Sequence, residues 1–216
     1  MIQAVISDFG GVLTTPLTGS FRALADQLGV EVTTMGRAFA AFAERTDAHP
    51  VHELECGRMT EDAFAAGLQR ALSDLIGREV EFAAFTETLW AGLFPNEPMI
   101  ALMASLRAEG YRMALLTNNV REWEPRWRAM APIDDIFELV IDSAFVGMRK
   151  PEPAIYELTL ARLGVPADEC LFVDDLEDNC AGAQAVGMHV VRYRDVGQAA
   201  SEIRAALDDG GGDGPP

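Results

Sequence analysis

The sequence predicts an α/β fold: a doubly wound, Rossmann-like parallel sheet with a small helical cap inserted after the first strand. Three observations carry this. Beyond Pro95, short apolar runs alternate with amphipathic stretches at the spacing of strand–helix units. The runs are nearly continuous in apolar residues, as in strands covered on both faces. From about Ser20 to Leu93 the pattern is alanine-rich and amphipathic, with no convincing strand.

The elements follow in order. Ala4-Val5-Ile6-Ser7-Asp8 reads as a buried strand ending on a carboxylate, and Gly10-Gly11 turn the chain at once. Helical patterns are expected over 21–28, 35–43, 61–75 and 82–93, with Thr60 as the N-cap of the third. A helix over 99–109 closes at Gly110, and a strand over 111–116 stops at Thr117-Asn118-Asn119. A strand over 137–141 ends near Asp142-Ser143, and a helix over 153–163 closes at Gly164. A strand over 169–173 ends at Asp174-Asp175. A helix over 181–186 closes at Gly187, and a last strand spans 188–193. The implied division is a core of residues 1–17 and 94–207, a cap of 18–93, and a Gly/Asp/Pro-rich disordered tail of 208–216.

Composition narrows the partners. With 216 residues and 49% hydrophobic content, the chain builds one sizeable core and a small accessory lobe. Seventeen basic against 34 acidic residues give a formal charge of -17, which repels nucleic acid and anionic membrane. Cys56, Cys170 and Cys180 form no C-x-x-C pair, so buried thiols in a reducing compartment are expected. His49, His52 and His189 show no ligand spacing. No run reaches the roughly 20 apolar residues of a membrane span. A cytoplasmic protein, monomer or homodimer, is expected.

The polar groups at the strand ends carry the chemistry. In an open parallel sheet, ligands bind beyond the carboxyl ends of the strands. That edge gathers Asp8, Thr117 with its asparagines, and Asp174-Asp175. Lys150, in Gly147-Met148-Arg149-Lys150-Pro151, reaches the same edge from the start of a helix. Three carboxylates brought together repel, and at least one takes up a proton unless cations intervene. Lys150 and a divalent ion would remove that penalty. Each residue also has a structural reading. Asp8 suits a turn before Gly-Gly, Thr117-Asn118-Asn119 a helix cap, Asp174-Asp175 a capping pair, and Lys150 a solvated charge. Their joint placement on one edge favours chemistry. Asp142 and Ser143 read as structural; Trp123 and Trp127 read as packing near the site mouth.

Asp8-Phe9-Gly10-Gly11-Val12-Leu13 resembles the first motif of the haloacid dehalogenase (HAD) superfamily, and Leu115-Leu116-Thr117-Asn118 its second. Arg149-Lys150-Pro151 with Tyr156 resembles the third, and Phe172-Val173-Asp174-Asp175 with Asn179 the fourth. The order is right, and the likeness is greatest to the subfamily IA-like branch holding the N-terminal phosphatase domain of soluble epoxide hydrolases. The resemblance implies a Mg²⁺-dependent hydrolase, a phosphatase acting on a small phosphorylated metabolite through an aspartyl-phosphate on Asp8. It implies Mg²⁺ ligation by Asp8, the Gly10 carbonyl and Asp175, with Asp174 as ligand or support. It implies phosphate binding by Thr117, Asn118 and Lys150, and orientation of the carboxylates by Asn179.

One position departs from the pattern. Phosphatases of this superfamily usually carry a second aspartate where Gly10 stands; it protonates the leaving alcohol and later activates water. Loss of such a group typically costs ~10²–10⁴-fold in rate. A substitute group, a substrate with a good leaving group such as an acyl or sugar-anomeric phosphate, or a weakly active phosphate-binding regulator all follow. A 2-haloacid dehalogenase also lacks the second aspartate, but adjacent Asp174 and Asp175 would repel its carboxylate substrate. Asp8-Phe9-Gly10 matches a kinase metal-binding tripeptide, yet almost no chain precedes it. Residues 174–179 do not fit an EF-hand loop.

Overall fold

The computed structural model describes residues 1–46, 48–82 and 85–209. Five strands form one parallel sheet: β1 (Ala4–Ser7), β2 (Arg112–Thr117), β3 (Leu139–Asp142), β4 (Cys170–Asp174) and β5 (His189–Arg192), in the order β3-β2-β1-β4-β5. Alternation along each strand splits its residues between two apolar layers. Val5, Leu115 and Val173 join one cluster; Ile6, Leu116 and Phe172 join the other. Both faces are therefore covered, which explains why β1 and β4 are buried at every position.

β1 is central, with Ser7 in register with Leu115 on one side and Val173 on the other. The chain winds outward from β1 through β2 to β3, then crosses back to β4. The switch point thus lies between β1 and β4, where Asp8 leaves the sheet.

Between β1 and β2 lie α1 (Thr18–Gln27), α2 (Val32–Ala43), α3 (Pro50–Glu55), α4 (Glu61–Ile76), α5 (Phe85–Trp90) and α6 (Glu97–Ala108). Thr60 caps α4 as expected, its hydroxyl accepting the Ala63 N–H at 3.2 Å, and Gly77 ends it at φ +71°. Phe42 of α2 packs on Phe64 of α4 with ring centroids 5.8 Å apart. The Phe42 ring lies directly over Gly67, where a side chain would collide with it. The chain leaves and re-enters the sheet layer through neighbouring segments. Thr14 pairs antiparallel with Pro95, Thr15 N–H donates to Phe94 O (2.9 Å) and Asn96 N–H to Leu13 O (2.8 Å).

The remaining helices are α7 (Glu124–Arg128), α8 (Ile133–Ile136), α9 (Ser143–Val146), α10 (Pro153–Leu163), α11 (Glu177–Ala185) and α12 (Val196–Asp209). Several differences from the sequence reading have physical causes. The helix expected over 181–186 begins at Glu177, because Asp174 Oδ1 accepts the Leu176 N–H at 2.9 Å and turns the chain directly into α11. The strand expected from 137 begins at Leu139, because Phe137 N–H still closes α8 on Ile133 O (2.8 Å). The helix expected over 82–93 is α5 alone, and residues 83 and 84 lie outside the described residues. The tail expected to be disordered from Asp208 is helical through Asp209; α12 docks through Ala199, Ile203 and Leu207. The rest of that tail, 210–216, lies outside the described residues. The three cysteines are buried and free. No helix among the described residues is long and apolar enough to cross a membrane.

Candidate active site

Asp8 follows β1 and is held by its backbone: its N–H donates to Val173 O (2.8 Å), and Ser7 Oγ donates to its carbonyl (2.7 Å). The loop beyond it is anchored by Phe9, whose ring lies 5.3 Å from that of Trp127. β4 delivers Asp174 and Asp175, β2 delivers Thr117 and Asn118, and the loop before α10 delivers Lys150. Every one of these groups reaches the same sheet edge.

Lys150 Nζ lies 2.7 Å from Asp8 Oδ1 and 2.7 Å from Asp174 Oδ2, and all three side chains are buried. Asp174 accepts two further donors, Leu176 N–H (2.9 Å) and Asn179 Nδ2 (3.0 and 3.1 Å to its two oxygens). Asn179 is in turn fixed by Tyr156, whose hydroxyl donates to its carbonyl at 2.8 Å. Asp174 is thus the most fully bonded of the three acids. Asp175 is half-buried, and ligand oxygens of Asp8, Asp174 and Asp175 all lie within 4.8 Å of one another.

The electrostatics follow from this crowding. Burial pushes the Asp8 carboxyl up to about 7, against the pull of Lys150 and with the repulsion of Asp174. Asp175 is raised by burial, then by Asp174. Burial alone would lower Lys150, but Asp174 and Asp8 hold it above the ordinary lysine value. Three carboxylates face one ammonium, so a single divalent cation would relieve the excess. Hard oxygen donors at this spacing suit Mg²⁺.

The two glycines after Phe9 differ sharply. Gly11 has φ +85°, and a Cβ there would run into the Asp175 carboxylate. At Gly10 a Cβ would meet nothing within 4 Å. The space where a second acid would stand is open.

Asn118 is engaged differently from the sequence expectation. Its Nδ2 donates to Lys150 O (3.0 Å) and its Oδ1 accepts Lys150 N–H (2.9 Å), so the side chain clamps the Lys150 backbone. One amide proton is thereby committed away from any phosphate. Thr117 is buried, and its Oγ1 accepts from Asn119 Nδ2 at 3.5 Å.

Sequence reasoning missed a seam between α3 and the sheet edge. Glu55 pairs with Arg149 at 2.6 Å, and burial raises its carboxyl despite that partner. Ser143 Oγ donates to Glu55 O (2.6 Å) and accepts Asn119 N–H (3.0 Å). Arg121 donates to Ala144 O beside Gly57. Arg149 stands next to Lys150, a weak signal; Glu55 carried none. Four arginines of the inserted region lie away from the carboxylate cluster or are paired elsewhere. Arg45 pairs with Asp74 (2.8 Å) and Arg58 with Glu53 (2.8 Å), while Arg22 and Arg37 line none of the cavities described below.

Two cavities meet here. One, of about 250 Å³, is lined by Asp8, Lys150, Asp175, Asn179, Arg149 and Glu55, among others. The second, of about 140 Å³, is lined mainly by apolar side chains of the inserted helices. Leu17, Glu55 and Asn118 line both. Trp123 and Trp127 line a further cleft of about 100 Å³ beside Gly10, with Trp123 also facing the apolar cavity.

A family model described as haloacid dehalogenase-like hydrolase matches residues 2–187. The chain is 29% identical over 211 residues to sesquiterpene phosphatase astK of Aspergillus oryzae, covering 94% of this chain and 95% of that protein. It is 26% identical over 214 residues to bifunctional epoxide hydrolase 2 of Rattus norvegicus, covering 94% of this chain but only 38% of that protein's length. A predicted HAD-like family hydrolase from Porphyromonas gingivalis superposes with a TM-score of 0.69 at 26% identity, over 96% of this chain and 98% of that one.

Proposed function

The chain belongs to the haloacid dehalogenase-like hydrolases, and from that premise we propose that it is a Mg²⁺-dependent phosphatase with Asp8 as its nucleophile. The observation that carries the reading is the array Asp8–Lys150–Asp174, with Asp175 beside it, at the switch point of the sheet. The phosphatase relative that matches nearly end to end supports the same chemistry.

Asp8 attacks phosphorus in line, the P–O bond to the alcohol breaks, and an aspartyl-phosphate forms. Water then cleaves that acyl phosphate and restores Asp8. Lys150 favours the ionised form of Asp8 against the burial that raises its carboxyl, and contributes positive charge to the phosphoryl oxygens. Thr117 Oγ1 and the remaining amide proton of Asn118 bind those oxygens, and the Asn118–Lys150 clamp fixes the height of Lys150. Asn179 orients Asp174. Asp8, the Gly10 carbonyl and Asp175, with Asp174 in support, would hold Mg²⁺, which would supply charge neutralisation at the phosphoryl group. Residues 1–17 with 94–207 act as the catalytic core, and 18–93 as a cap over it.

Gly10 gives the leaving oxygen no acid. A substrate whose alcohol departs readily as an anion is therefore favoured, and turnover of ordinary alkyl esters is slow. A weakly active phosphate binder is the second reading, on the strength of Gly10 alone. Carboxylates at both 174 and 175 disfavour a 2-haloacid dehalogenase.

The test is hydrolysis of an activated aryl phosphate. It should need Mg²⁺, stop with a chelator, and fall by about 10³-fold or more in Asp8→Asn, the order expected for loss of a nucleophile. Halide release from a 2-haloacid in the presence of chelator would instead establish the dehalogenase. Binding of phosphate without turnover would establish the regulator.

A further inference from the structure

We infer that the apolar cavity is a substrate chamber for one aromatic ring, and that the phosphate ester cleaved is an aryl ester with no second anionic group. This rests on the phosphatase reading. The chamber adjoins the cavity around Asp8, with which it shares the lining residues Leu17, Glu55 and Asn118. Its walls are Phe21, Phe39, Val51, Phe64, Phe85 and Leu89, so α1 to α5 all contribute or adjoin it.

Three features define the occupant. First, size: the volume is about 140 Å³, and an apolar cavity of about 150 Å³ takes up benzene. Second, polarity: a sugar would lose its hydroxyl hydration against phenyl walls, which sets aside the sugar phosphates that Gly10 alone leaves open. Glu61 also lines the chamber, and its negative charge opposes a second anionic group such as that of a diphosphate or a phosphorylated acid. Third, leaving-group acidity: with no side chain at Gly10 to donate a proton, the departing oxygen must carry the P–O electron pair away as an anion. A phenolate does this far more readily than an alkoxide. The phosphoryl group passes to Asp8, the phenolate takes its proton from water, and hydrolysis of the acyl phosphate closes the cycle.

Binding and turnover test the two halves separately, on the full chain with Mg²⁺. Benzylphosphonate should bind on the order of 10–100-fold more tightly than methylphosphonate, as burial of one ring requires. Phenyl phosphate should exceed benzyl phosphate in kcat by about 10²-fold or more, the range of a missing general acid, at similar KM. Val51→Trp, which fills the chamber, should weaken benzylphosphonate by about 10-fold or more while weakening methylphosphonate much less. Phe39→Ala, which enlarges it, should favour 1-naphthyl over phenyl phosphate by about 10-fold relative to wild type. Equal affinity for the two phosphonates, or equal kcat for phenyl and benzyl phosphate, overturns the inference. If acetyl phosphate is still hydrolysed in that case, the phosphatase reading survives. If neither acetyl nor phenyl phosphate is cleaved, that reading fails and takes the substrate assignment with it.

Discussion

At the scale of single residues, adjacent glycines have opposite meanings. Gly11 is required by a left-handed backbone pressed against Asp175, whereas Gly10 borders open space. Gly10→Asp should therefore fold normally and install the missing acid. We expect turnover of benzyl phosphate to rise by ~10²-fold, within the range of general acid catalysis, and that of phenyl phosphate to rise much less. Equal gains on both would remove the leaving-group explanation. Asp142 offers a separate titration. It is buried, accepts Ala144 N–H at 2.9 Å, and burial pushes its carboxyl up to about 6 from 3.8. A raised value means the folded state binds the proton more tightly, so its contribution falls as pH rises through 3.8 to 6 and stays lost above. Asp142→Asn keeps a capping acceptor without the charge. Denaturant melts should show it gaining on wild type as pH rises from about 4 to 7, by on the order of 1–3 kcal/mol. Much of the site was legible because its acids sit at strand ends, where apolar runs stop. The Asn118 clamp was not, because its partner lies 32 positions along the chain and no local pattern links them.

Among the elements, the strands were readable as apolar runs and the long helices by their period. α3, α7, α8 and α9 were not anticipated, since four to six residues span too few turns to show a periodicity. α12 did carry a signal, Ala199, Ile203 and Leu207 at four-residue spacing, but the Gly-rich stretch after it masked the helix end. The seam between α3 and α9 was invisible because it joins distant segments through Glu55–Arg149 and Ser143. Gly57 sits in that seam at φ +66°, where a Cβ would strike Ala144 O. Gly57→Ala should cost about 1–2 kcal/mol in a urea melt, from the left-handed backbone and the forced shift. The shift should also raise KM, since α3 carries both Glu55 and Val51. An unchanged melt would mean the seam yields freely.

Across the whole molecule, the formal charge of -17 opposes an anionic substrate approaching the site. Screening shortens that repulsion to about 10 Å at 0.1 M salt. With Mg²⁺ saturating, kcat/KM for a dianionic phosphate should therefore climb a few-fold between about 10 and 150 mM ionic strength. A decline would mean that Lys150 and Arg149 dominate the approach. The charge was legible from composition; its counterpoise at the site depends on which few cations the fold turns inward. The paired crossing at Thr14 and Pro95 has a consequence of a different kind. Because the excursion of five helices starts and finishes at one spot, its ends act as a single socket. Whatever is plugged into that socket can be lengthened, shortened or exchanged without altering the register of any strand. Selection can thus retool what the enzyme accepts while the reacting atoms stay where they are.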